Sequence, residues 1–206
     1  MQSVFQDLQP RPDKSGIRVY LDDVLVYAQS FETFALLLQE ALQRLQDSGL
    51  KDSLDKCRFG LTTIKFLNFV ISSKGHQPDP DKAASMCRIP HPQNQKQVLS
   101  WVQTASYYRR FIKDFSKIVA PLQALIKSPV FEWTPNCEQA FQAIRTALTQ
   151  PPLLAHFDPD APTTVTTNAS VFAIGAVLSQ IQGNREVVIV YASRALTPDH
   201  SREKIA

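Results

Sequence analysis

The stretch VYLDDVLVYA, residues 19–28, places two adjacent carboxylates, Asp22 and Asp23, among apolar and β-branched residues. Burying one charge costs several kcal/mol unless the charge is paired or binds a cation, and two like charges cost more. The flanking residues predict two short strands that meet at the Asp pair. Three interpretations compete: a solvated hairpin tip, a calcium site, and a catalytic site for a divalent metal. The spacing of an EF-hand loop is absent, which weakens the calcium interpretation.

The composition is that of a packed protein. The chain has 206 residues, of which 44% are hydrophobic and 20% charged, which suits one large domain or two small ones. The net charge of +3 is compatible with a nucleic-acid partner without requiring one. Three widely spaced cysteines argue against a disulfide framework and for a reducing compartment. No signal peptide or membrane-length apolar run is visible, so we expect a cytoplasmic or nuclear location and no membrane partner.

The first third of the chain reads as strands followed by a helix. Residues 10–16 predict a turn, and residues 17–28 predict the two strands around the Asp pair. Ser30 suits the N-cap of a helix whose apolar residues recur at intervals of three and four, and Gly49 suits its end.

The rest of the chain predicts helices and then strands. Residues 57–75 predict a β-hairpin, and residues 95–127 predict two helices, with Pro121 starting or kinking the second. Thr134 and Pro135 predict the beginning of another helix. From about residue 163 the pattern changes to strands.

Six stretches in order carry a family resemblance beyond the Asp pair. Tyr20-Leu21-Asp22-Asp23 matches the Tyr-x-Asp-Asp box of reverse transcriptases. The further stretches are SGLKDSLDKCRF (48–59), KFLNFVISSKGHQPDPDKAASM (65–86), SYYRRFIKDFSKIVAPLQALIK (106–127), FEWTPNCEQAFQAIRTAL (131–148), TTNASVFAIGAVLSQ (166–180) and YASRALTPD (191–199). Over nearly its whole length the chain resembles gypsy-type LTR retrotransposon polyproteins.

The resemblance implies an α+β fold in three parts. Residues 1–90 resemble the C-terminal part of a polymerase palm, built from β-hairpins and a helix. Residues 91–150 resemble a helical thumb and a connecting helix. Residues 151–206 resemble the truncated N-terminal part of an RNase H-like domain, with its opening β-strands.

The resemblance also implies a metal-dependent reaction. In the family, the first Asp of the box binds the catalytic metals and the second supports the site, and these roles carry to Asp22 and Asp23. The implied cofactor is Mg²⁺, with Mn²⁺ as an alternative. The implied chemistry is two-metal nucleotidyl transfer, in which one ion activates the primer hydroxyl and the other holds the triphosphate.

A second motif matches the turn that positions the primer. Phe66-Leu67-Asn68-Phe69 resembles the family's primer-grip turn, where Gly usually stands in place of Asn68. Asn tolerates left-handed backbone better than most residues, so we expect the turn to be retained.

Aromatic and basic residues near position 110 predict contact with nucleic acid. Tyr107, Arg109, Arg110 and Lys113 are the candidate binding residues, and an RNA/DNA primer–template duplex is the implied partner. On a helix, Arg109, Lys113 and Lys117 would share one face because they are four residues apart. The alternative is an ordinary solvated helix face.

The RNase H-like part departs from its family at a catalytic position. The family carries its first catalytic carboxylate in a Thr-Asp-Ala-Ser stretch, whereas this chain has Asn168 at that position. Asn keeps the shape but loses the charge that holds the metals. Glu203 does not align cleanly with the next catalytic carboxylate, so no RNase H site is assigned.

These observations lead to one main hypothesis about function and two alternatives. The chain reads as a fragment of a retrotransposon RNA-directed DNA polymerase, with the start of RNase H. The upstream palm and fingers, with a further metal-binding Asp, precede the region it resembles, so we expect little polymerase activity from the chain by itself. One alternative is a non-catalytic nucleic-acid-binding or interaction module derived from a retroelement. The other is complementation by an upstream polymerase fragment.

Overall fold

The computed structural model of the chain describes residues 2–5, 15–51, 53–170 and 173–196. Most of the turn predicted at residues 10–16 lies outside these ranges, as does Glu203. The chain divides into two compact units, Met1–Thr62 and Thr63–Ala206. The boundaries predicted near residues 90 and 150 remain predictions.

The first unit packs a hairpin with one helix. Strands β1 (Gly16–Tyr20) and β2 (Asp23–Tyr27) are antiparallel, and helix α1 spans Phe31–Asp47. Ser30 caps α1 as predicted, because its hydroxyl accepts a hydrogen bond from the backbone N–H of Thr33. Two short 3₁₀ helices, Gln2–Phe5 and Leu54–Lys56, complete the described elements of the unit. The buried core is a small cluster: Phe5, Ile17, Ala41 and Leu45.

The second unit begins with a three-stranded antiparallel sheet. Its strands are β3 (Thr63–Phe66), β4 (Phe69–Ser72) and β5 (Gly75–Pro78). The hairpin predicted over residues 57–75 therefore starts later than expected and is extended by a third strand.

Four helices follow and enclose the main core. They are α2 (Pro80–Cys87), α3 (Gln95–Tyr107), α4 (Phe115–Lys127) and α5 (Pro135–Thr149). Thr134 caps α5 and Pro135 opens it, as predicted. Pro121 lies inside α4, so it does not start the helix, and the alternative that it kinks the helix stays a prediction. The core between these helices contains large, fully buried side chains such as Phe111, Leu122, Phe141 and Ile144.

A second antiparallel sheet closes the unit. Its strands are β6 (Thr163–Ala169), β7 (Ala173–Gln182) and β8 (Arg185–Ala195), in that spatial order. The α+β class inferred from the sequence is thus confirmed. No helix in the described ranges is long and apolar enough to cross a membrane.

A short connector joins the two sheets of this unit. The backbone of Leu154 exchanges two hydrogen bonds with His76 on β5, at 2.8 and 3.0 Å, and the N–H of Ala155 donates to the carbonyl of Val188 on β8. Gly75 makes the close approach possible: its φ is +139°, and a Cβ there would lie 2.2 Å from the Leu154 carbonyl oxygen. The sheet that carries the primer-grip motif is therefore tied to the β6–β8 sheet through backbone groups.

Candidate functional site

The Asp pair lies at the tip of the β1–β2 hairpin. Tyr20 pairs with Asp23, which leaves Leu21 and Asp22 as the turn residues, and Leu21 adopts a left-handed φ of 54°. Both carboxylates are exposed, while the β-branched residues around them lie along the strands. Neither carboxylate has an ion-pair partner among the described residues. The hairpin thus projects two charges into solvent, and the cost of burying them does not arise.

The pair fits a Mg²⁺ ion in the chemistry of its donors. Carboxylate oxygens are the ligands that Mg²⁺ prefers, and proteins commonly supply only one or two of them, with waters and substrate phosphates completing the octahedron. Within the described ranges, no group of three or more His, Cys, Asp or Glu side chains is placed to hold a metal. Asp22 and Asp23 could therefore hold a metal only with such non-protein ligands or with carboxylates outside these ranges.

The predicted primer-grip turn joins β3 to β4. Phe66 pairs with Phe69, so Leu67 and Asn68 form a two-residue turn, and both have left-handed φ values, 49° and 61°. Positive φ at both central residues is the requirement of the tight hairpin turn that matches strand twist. Asn68 meets it at little cost, whereas the conformation is strained for Leu67. Asn in place of the family's usual Gly is thus compatible with the turn.

Hydrogen bonds from two sides hold this turn. The hydroxyl of Tyr107, at the end of α3, donates to the carbonyl of Leu67 at 2.7 Å. The backbone N–H of Asp79 donates to the carbonyl of Asn68 at 2.9 Å. Both turn carbonyls therefore have a partner outside the hairpin.

Asp79 is itself fixed by its surroundings. It is buried, caps helix α2 by accepting from the N–H of Asp81, and lies 3.0 Å from the Nζ of Lys65 on β3. The hydrogen bond from Lys65 holds the pKa of the Asp79 carboxyl below its ordinary value. The pKa of Lys65 is raised, chiefly by its hydrogen bond to Asp81 and then by that to Asp79.

An aromatic cluster supports the hairpin from the α3 side. The ring of Phe69 stacks on Tyr107 with centroids 5.3 Å apart, meets Tyr108 edge-on, and lies 5.6 Å from Phe111. Tyr107 thus contacts the β3–β4 hairpin through both its ring and its hydroxyl. Direct contact between Tyr107 and nucleic acid remains a prediction.

The basic residues do not form the helical stripe expected from the sequence. Arg109 and Arg110 lie in a 3₁₀ turn, Arg109–Phe111, and α4 begins only at Phe115. Between them Ile112 is extended and Asp114 adopts a left-handed φ of 55°, which breaks the helix. The prediction that Arg109, Lys113 and Lys117 share one face of a helix is therefore wrong. Arg109, Arg110 and Lys113 are nevertheless all exposed, and their contact with nucleic acid is untested.

Asn168 lies on the exposed strand β6, in register with Gly175 on β7, which pairs in turn with Ser193 on β8. A cavity of about 30 Å³ adjoins it, bounded in part by Asp114, Lys117 and Ser193. The Asp114 carboxylate occupies the space that a side chain at Gly175 would fill, because a Cβ there would lie 2.3 Å from its Oδ1. Sequence analysis missed Asp114, and only its position just before an apolar helix could have drawn attention to it.

The start of α4 is anchored to the same sheet. The backbone N–H of Ser116 donates to the hydroxyl of Ser193 at 2.9 Å, and that hydroxyl donates to Ser116 Oγ at 3.1 Å. Helix α4 and the β6–β8 sheet consequently pack as parts of one unit.

Comparison with known proteins agrees with this arrangement. Residues 1–71 match the family described as reverse transcriptase (RNA-dependent DNA polymerase), and residues 133–205 match the RNase H-like domain found in reverse transcriptase. The Tf2-3 and Tf2-7 transposon polyproteins of Schizosaccharomyces pombe are each 33% identical to the chain over 168 residues. The chain therefore carries part of a reverse transcriptase and part of an RNase H-like domain, with similarity to retrotransposon polyproteins. The aligned region covers 81% of the chain but only 13% of each transposon polyprotein.

Solved reverse transcriptases share the fold of the chain. The foamy viral protease-reverse transcriptase dRH in complex with double-stranded DNA matches 98% of the chain at a TM-score of 0.81 and 24% identity, over 35% of its own length. The foamy viral protease-reverse transcriptase in complex with an RNA/DNA hybrid matches 98% of the chain at a TM-score of 0.79 and 23% identity, over 27% of its own length.

Proposed function

We propose that the chain serves in templated DNA synthesis as the segment of a retrotransposon reverse transcriptase that carries the Tyr-x-Asp-Asp hairpin, the primer grip and the thumb. The observation that carries the proposal is the exposed pair Asp22 and Asp23 at a tight hairpin turn. Two like charges held at one rigid tip suit a cation-dependent reaction better than they suit folding.

Asp22 and Asp23 would hold Mg²⁺, or Mn²⁺ in its place. A bound ion would supply positive charge to offset the negative charge that develops as a nucleotidyl group passes from the triphosphate to the primer hydroxyl and pyrophosphate leaves. The chain's own part is to fix the two carboxylates through the paired strands β1 and β2, and to place the primer end with the turn formed by Phe66, Leu67 and Asn68.

The proposed partner is a primer–template duplex of RNA or DNA. Exposed cations support this assignment, namely Arg109, Arg110 and Lys113, because phosphate contacts dominate affinity for nucleic acid. The foamy viral relatives with the same fold were solved with double-stranded DNA or with an RNA/DNA hybrid, which also supports it.

Metal binding at the Asp pair is the first test. We expect Mn²⁺ to broaden the amide signals of Asp23 and Val24 in the wild-type chain by paramagnetic relaxation, and Asp22→Asn to abolish the effect. Asp55→Asn is the matched control, because Asp55 is an exposed carboxylate in the same unit, outside the hairpin. Equal broadening in all three proteins would show that the pair is not a metal site.

Duplex binding is the second test. Affinity for a primer–template duplex should fall as salt rises, and replacing Arg110 and Lys113 together by Ala should reduce the slope of log K against log[salt] by about 2. Affinity that ignores both salt and the double substitution would contradict the proposal. Primer extension on the same samples, with and without Asp22→Asn, then measures whether the chain polymerises by itself.

A binding module without catalysis is the second candidate. Asn168 stands where the family carries an RNase H carboxylate, which favours loss of at least one activity. This candidate predicts salt-dependent duplex binding with no specific metal binding at Asp22, so the same two experiments separate it from the first.

A further inference from the structure

One side chain of helix α3 donates a hydrogen bond to the proposed primer-grip turn. Two bonds from outside the hairpin reach its carbonyls, and one of them, from the N–H of Asp79, is a backbone bond that no substitution removes cleanly. The other comes from the Tyr107 hydroxyl, 2.7 Å from the carbonyl oxygen of Leu67. The position of Leu67 is therefore linked to α3 by a group that can be deleted without changing the ring.

The ring of Tyr107 is itself well placed to aim that hydroxyl. It lies nearly parallel to Phe69, at an interplanar angle of 11°, and meets Tyr108 edge-on with centroids 5.1 Å apart. Contacts on the face and the edge restrict rotation of the ring. The hydroxyl is therefore presented to the turn by a fixed support.

The turn needs such support because of its backbone conformation. Leu67 has a left-handed φ of 49°, a conformation that is strained for a non-glycine residue. Strained backbone of this kind persists where surrounding contacts over-determine it, and it is frequent at functional sites.

We propose that Tyr107 is a positioning residue for the primer end, acting through the carbonyl of Leu67. The hydroxyl of the thumb-like helix α3 fixes the turn, and the turn fixes the primer terminus. The inference rests on the proposed function, because a turn can position a primer only in a chain that binds a primer–template duplex. It gives Tyr107 a role different from the direct contact with nucleic acid predicted from the sequence.

The test variant is Tyr107→Phe, which keeps the stacked ring and deletes the hydroxyl. Tyr108→Phe is the matched control, because it deletes a hydroxyl from the adjacent ring and leaves the Tyr107–Leu67 bond in place. Leu67-Asn68 is the only Leu-Asn step in the sequence. The chain labelled with ¹³C-carbonyl leucine and ¹⁵N-asparagine therefore gives a single correlation, which reports on the bonded carbonyl.

The structural result expected is an upfield shift of the Leu67 carbonyl carbon in Tyr107→Phe and none in Tyr108→Phe. A carbonyl carbon moves upfield when it loses a hydrogen bond. An unchanged shift in Tyr107→Phe would overturn the inference whatever the duplex does, because the bond would then not hold the turn.

In the functional experiment, we expect Tyr107→Phe to impair the placement of the primer end without weakening the affinity for the duplex. A duplex whose primer ends in 4-thiothymidine is bound at saturation and irradiated, and the yield of cross-linked primer is measured. We expect the yield to fall by about fivefold in Tyr107→Phe, the change that one ordinary hydrogen bond of ~1 kcal/mol gives in a population. Duplex affinity should change by less than about twofold, and Tyr108→Phe should match the wild type.

The two proposals fail in different ways. If the wild-type chain binds no duplex, the proposed function fails and takes the positioning role with it. If the wild type binds and cross-links the primer end while Tyr107→Phe cross-links equally well, only the positioning role fails. If affinity and yield fall together, Tyr107 contacts the duplex directly and the inference is wrong.

Discussion

The β1–β2 and β3–β4 hairpins both have two-residue turns, but the surroundings of the two turns are opposite. The β1–β2 turn presents Leu21 and Asp22 to solvent, with Leu21 69% exposed. The β3–β4 turn, Leu67 and Asn68, is bonded from outside by Tyr107 and Asp79. Under the proposed function, the exposed carboxylates are accessible to a cation, whereas the turn proposed to place the primer is held by hydrogen bonds from outside the hairpin.

Among the substitutions considered, we expect one in the β3–β5 sheet to reduce the free energy of unfolding most. Gly75→Ala would bring a Cβ within 2.2 Å of the Leu154 carbonyl oxygen at a left-handed φ, so the pairing of β5 with the connector must open. We expect a loss of about 3 kcal/mol in the free energy of unfolding, measured with urea.

Gly183→Ala is the control for that substitution. Gly183 also has a left-handed φ, 56°, but its Cβ would meet nothing within 4 Å. It should cost only about 1 kcal/mol, the ordinary penalty of the conformation. Equal losses at Gly75 and Gly183 would mean that the connector does not stabilise the hairpin's sheet.

The left-handed conformation at Asn68 should give a smaller effect. Asn68→Val should cost about 1–2 kcal/mol, because a β-branched residue tolerates φ near 61° poorly. Asn68→Gly, the residue usual in the family, should stay within about 0.5 kcal/mol of the wild type. A Val variant as stable as the Gly variant, by thermal or urea unfolding, would show that the turn is not held in this conformation.

Carboxylates in the two hairpin regions should differ in their effect on stability. Asp79→Ala removes the cap of α2 and the partner of Lys65, so we expect the Tm to fall by about 3 °C. Asp22→Ala removes an exposed charge and should change the free energy of unfolding by less than about 0.5 kcal/mol. A larger fall in Tm for Asp22→Ala than for Asp79→Ala, measured by calorimetry, would contradict the difference proposed between the two regions.

Acid should weaken the fixed hairpin slightly. The pKa of Asp79 is lower in the folded chain than its unfolded value of 3.8, because Lys65 donates a hydrogen bond to it. Its contribution to stability is therefore complete above the unfolded pKa and is lost as pH falls through the folded pKa. Asp79→Asn should remove this part of the pH dependence below the unfolded pKa of 3.8, as followed by urea unfolding.

Local patterns in the sequence predicted most of the elements. The cap residues Ser30 and Thr134 marked the beginnings of α1 and α5, and the Asp pair marked the β1–β2 turn. These features depend on residues only three or four positions apart, so they can be recognised in the sequence without knowledge of the tertiary contacts. The ordered motifs likewise sufficed to assign the family.

The tertiary structure alone decided what surrounds the β3–β4 turn and where the basic residues lie. The bond from Tyr107 to Leu67 spans 40 residues, and the Leu154 connector links strands that no local pattern pairs. The predicted helical stripe of basic residues is interrupted at Asp114, whose left-handed backbone separates two helical segments. Phe111 and Phe115 are buried on either side of this residue. Packing of distant apolar groups fixed these features, because burial over the whole unit outweighs the propensity of a few residues.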